Sequence, residues 1–425
     1  MKVVHISTFD QRGGAARAAY RLHDGLQRIG QESCMFVLEK ISYDPFITKY
    51  EPPGNVVGRL RRAVRERTIV RAVSRYSVSA PAGLSFFTDD RTIYGGDPWQ
   101  RLPDNDLIQL NWISGFVDYR SFFKALPTGK PVVWTLHGMD AITGGCFYDN
   151  GCRRFTEKCG ACPQLGSTDE LDLTRQVWQR KRESYSRLEA AQLHVVTPSR
   201  WLREEVKRSS LLSSFPCTVI PNGLDTDVFI PRGRSVSREI LGVPLQSKVV
   251  LFIADGLHDP RKGFHKLVEA LKGVKLDGNL FLISLGPGYP PSLQALPHVH
   301  VESLNNDRFL SYVYSAADVF VAPSLQDNLP NTALESIACG TPVVGFAVGG
   351  IPDLVRPGLT GSLARPADAL DLRRAIAEIL SDNDRLKEMA ANCRKVALEE
   401  YTLEIQARRY FDLYGEVLDR RTISR

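Results

Sequence analysis

The 425-residue chain is 43% hydrophobic and 24% charged, the make-up of a folded globular protein and not of a disordered one. That length provides for two domains of ordinary size, each with its own core. No apolar run approaches the roughly 20 residues that cross a bilayer, and a net charge of +6 is modest for the size.

The chain opens with MKVVHISTFD, which reads as a first β-strand over residues 2–7 and lacks the apolar stretch of a signal peptide. A cytoplasmic location is the expectation. QRGGAARAAYRLHDGL follows, where Gly13 and Gly14 allow close approach of backbone to a ligand and the next helix presents its N-terminus. Dinucleotide-binding domains also place glycines here. This loop lacks their G-x-G-x-x-G spacing, and the second strand, CMFVLEK, offers no acid at its end beyond Glu39.

Between Arg59 and Arg75 stand seven arginines against the single acid Glu66, with Val56, Leu60, Ala63, Val70 and Val73 at helical spacing among them. A basic amphipathic helix of this kind lies on an anionic membrane surface, or else packs its apolar stripe on its own domain. Nucleic acid is disfavoured, because no aromatic residue interrupts the arginines before Tyr76. Further strands are expected at 34–38, 107–110, 132–136 and 194–197. Asn111 and Trp112 close one of them in LIQLNWISGF, and His137 closes another in WTLHGMD, with Asp140 after it.

Four of the eight cysteines, Cys146, Cys152, Cys159 and Cys162, crowd into GGCFYDNGCRRFTEKCGACPQLG. In a cytoplasmic chain that clustering suits metal better than disulfides, and Cys159-x-x-Cys162 has zinc-knuckle spacing. A structural zinc site is one reading; reduced or paired thiols are the other. Cys34, Cys217, Cys339 and Cys393 are scattered, as packing residues are.

Near Val219 the run VIPNGLDTDVFIPRG is rich in Pro, Gly and Asp, as a linker should be. Strands resume at 249–254, 280–285, 298–301, 319–322 and 343–345, so short apolar runs alternate with helical stretches along the whole chain. Parallel sheets built from βα units are the prediction. Arg261 and Lys262 follow the first strand of this half in IADGLHDPRKGF. VFVAPSLQDNLPNTALESIACGTPVVGFAVGGIPDLV is the most informative stretch. A strand, a polar loop, a helix start near Asn331 and Thr332, a second strand and a Gly-Gly turn succeed one another there. A helix N-terminus suits a phosphate, and Asp327 and Glu335, with seven residues between them, suit sugar hydroxyls on either side.

That stretch resembles the donor-binding signature of glycosyltransferase family four, whose members share the GT-B fold. IPNG-D near the linker and the Gly13–Gly14 loop strengthen the resemblance. It implies an α/β chain of two Rossmann-like, doubly wound parallel-sheet domains facing across a cleft. The expected bounds are 1–214 for an acceptor domain, 215–400 for a donor domain and 401–425 for a helix returning to the first. It implies a retaining, metal-independent transfer from a nucleotide diphosphate sugar (UDP-, GDP- or ADP-linked) to a carbohydrate or lipid-linked acceptor. Asp327 would touch the transferred sugar, Glu335 the ribose, His137 the sugar, and Lys262 the diphosphate, with Gly13 and Gly14 beside it. The base would be read by backbone near Val301 and Leu304. The family's usual arginine position holds Leu257, which makes Arg261 its substitute, and Asp327 stands where most relatives have Glu. No side-chain nucleophile stands out, so the implied step is a front-face displacement. DPRKGF resembles enzymes of exopolysaccharide and capsule assembly. The rival readings are an NAD-dependent oxidoreductase and a non-catalytic nucleotide-binding protein with a zinc-braced loop.

Overall fold

The computed structural model describes residues 1–80, 87–274, 279–288 and 296–423, with residues 421–423 described by backbone alone. The chain divides into two compact units: unit 1, Met1–Pro221 with Gln406–Arg425, and unit 2, Asn222–Ile405.

Unit 1 holds a seven-stranded sheet of β1 (Lys2–Phe9), β2 (Glu32–Glu39), β3 (Ile47–Lys49), β4 (Leu107–Leu110), β5 (Val132–Thr135), β6 (Leu193–Thr197) and β7 (Cys217–Val219). Every pairing is parallel, in the order β3-β2-β1-β4-β5-β6-β7. Unit 2 holds six parallel strands: β8 (Lys248–Ile253), β9 (Leu280–Leu285), β10 (His298–Val301), β11 (Val319–Ala322), β12 (Val343–Phe346) and β13 (Gly361–Ala364). Their order is β10-β9-β8-β11-β12-β13. The central strands β4, β5, β11 and β12 are buried along their whole length, because helices cover both faces and leave no solvated side.

Three strands lie outside the sequence-based expectation, β3, β7 and β13. All three sit at sheet edges, where ITK, CTV and GSLA are too short and too polar to register as apolar runs. The unit limits also differ from 214 and 400 for a physical reason. β7 pairs with β6, which carries unit 1 past residue 214. Leu224 N–H bonds the Tyr401 carbonyl, and both side chains lie in one apolar cluster of unit 2.

The last helix, Leu403–Ile423, packs Tyr410, Leu413, Tyr414 and Val417 against Val3, Leu22, Leu26, Leu107, Val133 and Val196 of unit 1. Its two tyrosines reach the middle of the sheet. Tyr410 Oη lies 2.7 Å from Thr135 Oγ1, and Tyr414 donates to Gln109 Oε1 at 2.9 Å.

The arginine-rich segment forms the helix Val56–Ser74, in which no residue is fully buried. The reading in which the apolar stripe packs on its own domain fails. The edge turned to the unit is Gly58, Arg62, Arg65, Ile69, Ala72 and, just beyond, Tyr76. Arg65 bonds Asp118 and the Thr92 carbonyl there. Val56, Val57, Leu60, Val64 and Val70 point to solvent instead of packing on the unit. Arg67 and Arg71 fall among them on the helical wheel, so the outward face mixes apolar side chains with cations.

Candidate functional site

Ligands of open parallel sheets gather beyond the carboxyl ends of the strands, where strand order reverses. In unit 2 that point lies between β8 and β11. The loop after β8 ends in a short turn, Pro260–Lys262, capped by the Asp259 carboxylate. Gly263 follows with φ +69°, and a Cβ there would stand 1.9 Å from the Pro323 carbonyl oxygen. Glycine is what lets this turn press on the end of β11. A main-chain bond of 2.7 Å from Leu325 N–H to the Arg261 carbonyl fixes the contact.

The loop after β11 thereby meets two cations. Lys262 Nζ donates to Asp327 Oδ2 at 2.7 Å, Ser324 Oγ donates to the same oxygen at 3.2 Å, and Arg261 Nη1 stands 3.5 Å away. Arg261 also donates to the Gln326 carbonyl at 3.0 Å. Burial by itself would raise the Asp327 carboxyl. The charges of Lys262 and then Arg261, with hydrogen bonds from Lys262 and Ser324, instead hold it at about 2. Asp327 is therefore an anion at neutral pH. The Gly-Gly turn after β12 closes the other side: Gly349 has φ +55°, a Cβ on it would lie 1.7 Å from the Asp327 carbonyl, and Gly350 N–H donates to that carbonyl at 3.1 Å.

The helix Asn331–Ala338 starts directly behind this loop, with Pro330 as N-cap and no side-chain cap. Asn331 Oδ1 accepts from Asn222 Nδ2 at 2.9 Å, and Thr332 is half-buried beside it. Glu335, 3% exposed, lies one turn further in, where Tyr314 Oη donates to its Oε2 at 2.9 Å. Arg261, Lys262 and Asp327 are thus in contact, and Asn331, Thr332 and Glu335 occupy the first turns of the adjoining helix. Leu257 is buried in the apolar core, its N–H bonded to the Pro287 carbonyl. Sequence reasoning missed Ser324 and Tyr314, whose neighbours carry no signal. Asn222 was within reach, as the asparagine of IPNG.

In unit 1 the reversal lies between β1 and β4. Gly13, at φ +83°, caps the helix Gly14–Arg28, and a Cβ there would meet nothing within 4 Å. Conformation, not crowding, asks for glycine. Asp10 ends β1 fully buried and gathers the backbone N–H groups of Gln11, Ile41 and Ser42, which ties the ends of β1 and β2. His137 follows β5 with Nε2 buried and unpartnered, and burial lowers its pKa to about 4, so the ring is neutral near pH 7. Asn111, after the paired strand β4, has both side-chain amide atoms buried without partners. Buried polar atoms without partners are uncommon, and a cluster of them at strand ends marks a place for a ligand. Trp112 packs edge-on against Phe147 with centroids 5.1 Å apart. Burial raises the Asp140 carboxyl, against the opposing charge of Lys181.

The four clustered cysteines come together. Cys146, Cys152, Cys159 and Cys162 line one cavity of about 20 Å³ in unit 1. Among the described residues, no group of three or more His, Cys, Asp or Glu is drawn to the spacing of a bound metal ion. No helix among them is long and apolar enough to cross a membrane.

Comparison with known proteins follows the same division. Residues 12–228 match the family described as Glycosyltransferase Family 4, and residues 247–382 match Glycosyl transferases group 1. A D-inositol 3-phosphate glycosyltransferase of Geodermatophilus obscurus is 34% identical over 40% of this chain and 41% of its own length. An alpha-maltose-1-phosphate synthase of Mycolicibacterium smegmatis is 30% identical over 52% of this chain and 63% of its own. The chain thus spans about half the length of the curated relatives it matches. Sucrose-phosphate synthase from Thermosynechococcus elongatus superposes with a TM-score of 0.67, at 21% identity, over 99% of this chain and 100% of that one. Anabaena HepE, solved with UDP-glucose, does so with 0.63, at 15% identity, over 98% and 100%. The fold is GT-B.

Proposed function

This chain belongs to Glycosyltransferase Family 4, and from that premise we propose that it is a retaining glycosyltransferase using a nucleotide diphosphate sugar. The observation that carries the reading is the group formed in unit 2: Lys262 and Arg261 on Asp327, beside an uncapped helix start with Glu335 one turn in. The helix N–H groups and Lys262 bind the diphosphate. Glu335, buried and oriented by Tyr314, accepts the ribose hydroxyls. Asp327, held ionised, accepts from hydroxyls of the transferred sugar. In unit 1, the neutral His137, whose Nε2 lacks a partner, and the Gly13–Gly14 loop are the candidate ligand-binding groups.

The chemistry is a substitution at the anomeric carbon. Its bond to the phosphate oxygen breaks, a bond to the acceptor oxygen forms on the same face, and the departing phosphate takes the acceptor's proton. The products are a nucleoside diphosphate and a glycoside. Lys262 and the helix N-terminus stabilise charge that grows on the leaving group, so positioning and electrostatics suffice without a metal.

UDP-sugars are the first donors to test, since Anabaena HepE was solved with UDP-glucose. GDP- and ADP-sugars complete the set. The acceptor is a carbohydrate or lipid-linked carbohydrate of cell-surface polysaccharide synthesis, and the motif DPRKGF supports that choice. A cytoplasmic enzyme of this kind meets its acceptor at the membrane through the outward face of the helix Val56–Ser74, where valines and arginines stand together.

A thermal-shift panel of UDP-, GDP- and ADP-sugars, followed by product analysis, tests the proposal. One donor class should stabilise the protein, and Glu335→Gln should weaken its binding at least about tenfold, near the worth of one charge-assisted hydrogen bond. Unchanged affinity and turnover in Glu335→Gln would remove the assignment.

A further inference from the structure

The loop between β5 and the helix Leu173–Tyr185 has neither helix nor strand, only three short 3-10 turns. A connection of that length is held by something other than main-chain ladders. In its middle the four cysteines line a hole of about 20 Å³, about the size of one small occupant, together with Thr143, Phe155 and Thr174. Cys146, Cys159 and Cys162 are buried and Cys152 is half-buried.

The backbone around them is shaped to serve sulfur. Gly144 N–H donates to Cys159 Sγ at 3.1 Å. Arg153 and Ala161 adopt φ of +61° and +42°, left-handed conformations that non-glycine residues enter only where the surroundings impose them. Cations stand close by. Arg154 lines the hole, Arg175 Nε donates to the Cys159 carbonyl, and Lys181, fully buried, donates to the Thr143 carbonyl at 3.2 Å.

We propose that Cys146, Cys152, Cys159 and Cys162 form a structural site for one zinc ion that staples this loop. The Gly144 N–H aimed at Cys159 stabilises its thiolate, and neighbouring cations offset the double negative charge of a zinc ion with four thiolates. Zinc replaces the four thiol protons, which leave to solvent; no oxidant takes part. The cysteines line the hole without yet standing at ligand spacing. Binding requires them to turn inward by rotation about each Cα–Cβ bond, the one torsion a cysteine has. With four protein ligands no position is left for substrate, so the ion braces and does not catalyse.

Zinc analysis of the full-length chain, purified with a non-chelating reductant and no added metal, should find roughly one ion per chain, released as four thiols react with an organomercurial. Cys159→Ser with Cys162→Ser should lower zinc content at least about tenfold, while Cys34→Ser with Cys217→Ser should leave it unchanged. Because the first variant is open to misfolding, cobalt exchange into the unaltered protein gives a second reading, a tetrahedral cobalt–thiolate spectrum. Zinc below about a tenth of an ion per chain without a cobalt–thiolate band, or a disulfide among these four cysteines by intact mass, would overturn the proposal.

Discussion

Replacing Lys262 by Met removes the closest cation from a buried carboxylate and keeps the length of the side chain. Asp327 titrates at about 2 in the folded protein against 3.8 ordinarily. A depression of that size corresponds to about 2 kcal/mol of stabilisation, most of it from Lys262 at 2.7 Å and a lesser part from Arg261 at 3.5 Å. Lys262→Met should therefore lower stability by about 1–2 kcal/mol at pH 7, while Asp327→Asn leaves Lys262, the more exposed partner, free to turn to water. A double-mutant cycle read by urea denaturation and far-UV circular dichroism isolates the pair. Its coupling should exceed about 1 kcal/mol at pH 7. The carboxyl titrates lower folded than unfolded, so the stabilisation is complete above about pH 4 and is lost as pH falls toward 2. Coupling under about 0.5 kcal/mol at pH 7, or coupling that persists below pH 2, would refute this account of Asp327.

Tyr314→Phe removes the hydroxyl that donates to Glu335 Oε2, so a loss of about 1–3 kcal/mol in denaturation and a weaker nucleotide-sugar affinity by calorimetry are expected. Gly349→Ala sets a Cβ 1.7 Å from the Asp327 carbonyl at φ +55°, and thermal melting should show more than about 2 kcal/mol lost; a neutral outcome contradicts the described turn. Vesicles containing anionic lipid should sediment the protein at low salt, and Arg67→Glu with Arg71→Glu, which the helix presents outward, should cut the bound fraction severalfold. Equal sedimentation of the variant would separate the helix from membranes.

The central strands were legible because burial on both faces leaves a mark in composition. Leu107–Leu110, Leu280–Leu285 and Val319–Ala322 lie where apolar runs placed them. Edge strands such as Gly361–Ala364 carry no such mark, since one neighbour and partial burial suffice for them. Residue types at the candidate site were visible, but their partnerships were not. Nothing in DPRKGF reveals that Lys262 meets Asp327, because the contact depends on Gly263 and Gly349 pressing two distant loops on a third. Which face of the helix Val56–Ser74 meets the unit was hidden for a related reason. Periodicity finds an apolar set of positions, but which side of a helix meets the protein is decided by tertiary partners, here Asp118 and the Thr92 carbonyl with Arg65.

The tyrosine-bearing end of the last helix has a consequence for how the protein comes into being. One flank of the first sheet is sealed by a segment translated after the entire second unit. On the ribosome, Leu22, Leu26, Leu107 and Val133 must wait, wet and sticky, until residues 406–423 emerge. A stop codon near position 405 would leave intact every residue named at the candidate site. It would nonetheless yield a protein whose first unit is prone to aggregate, with Gln109 and Thr135 deprived of their tyrosine partners.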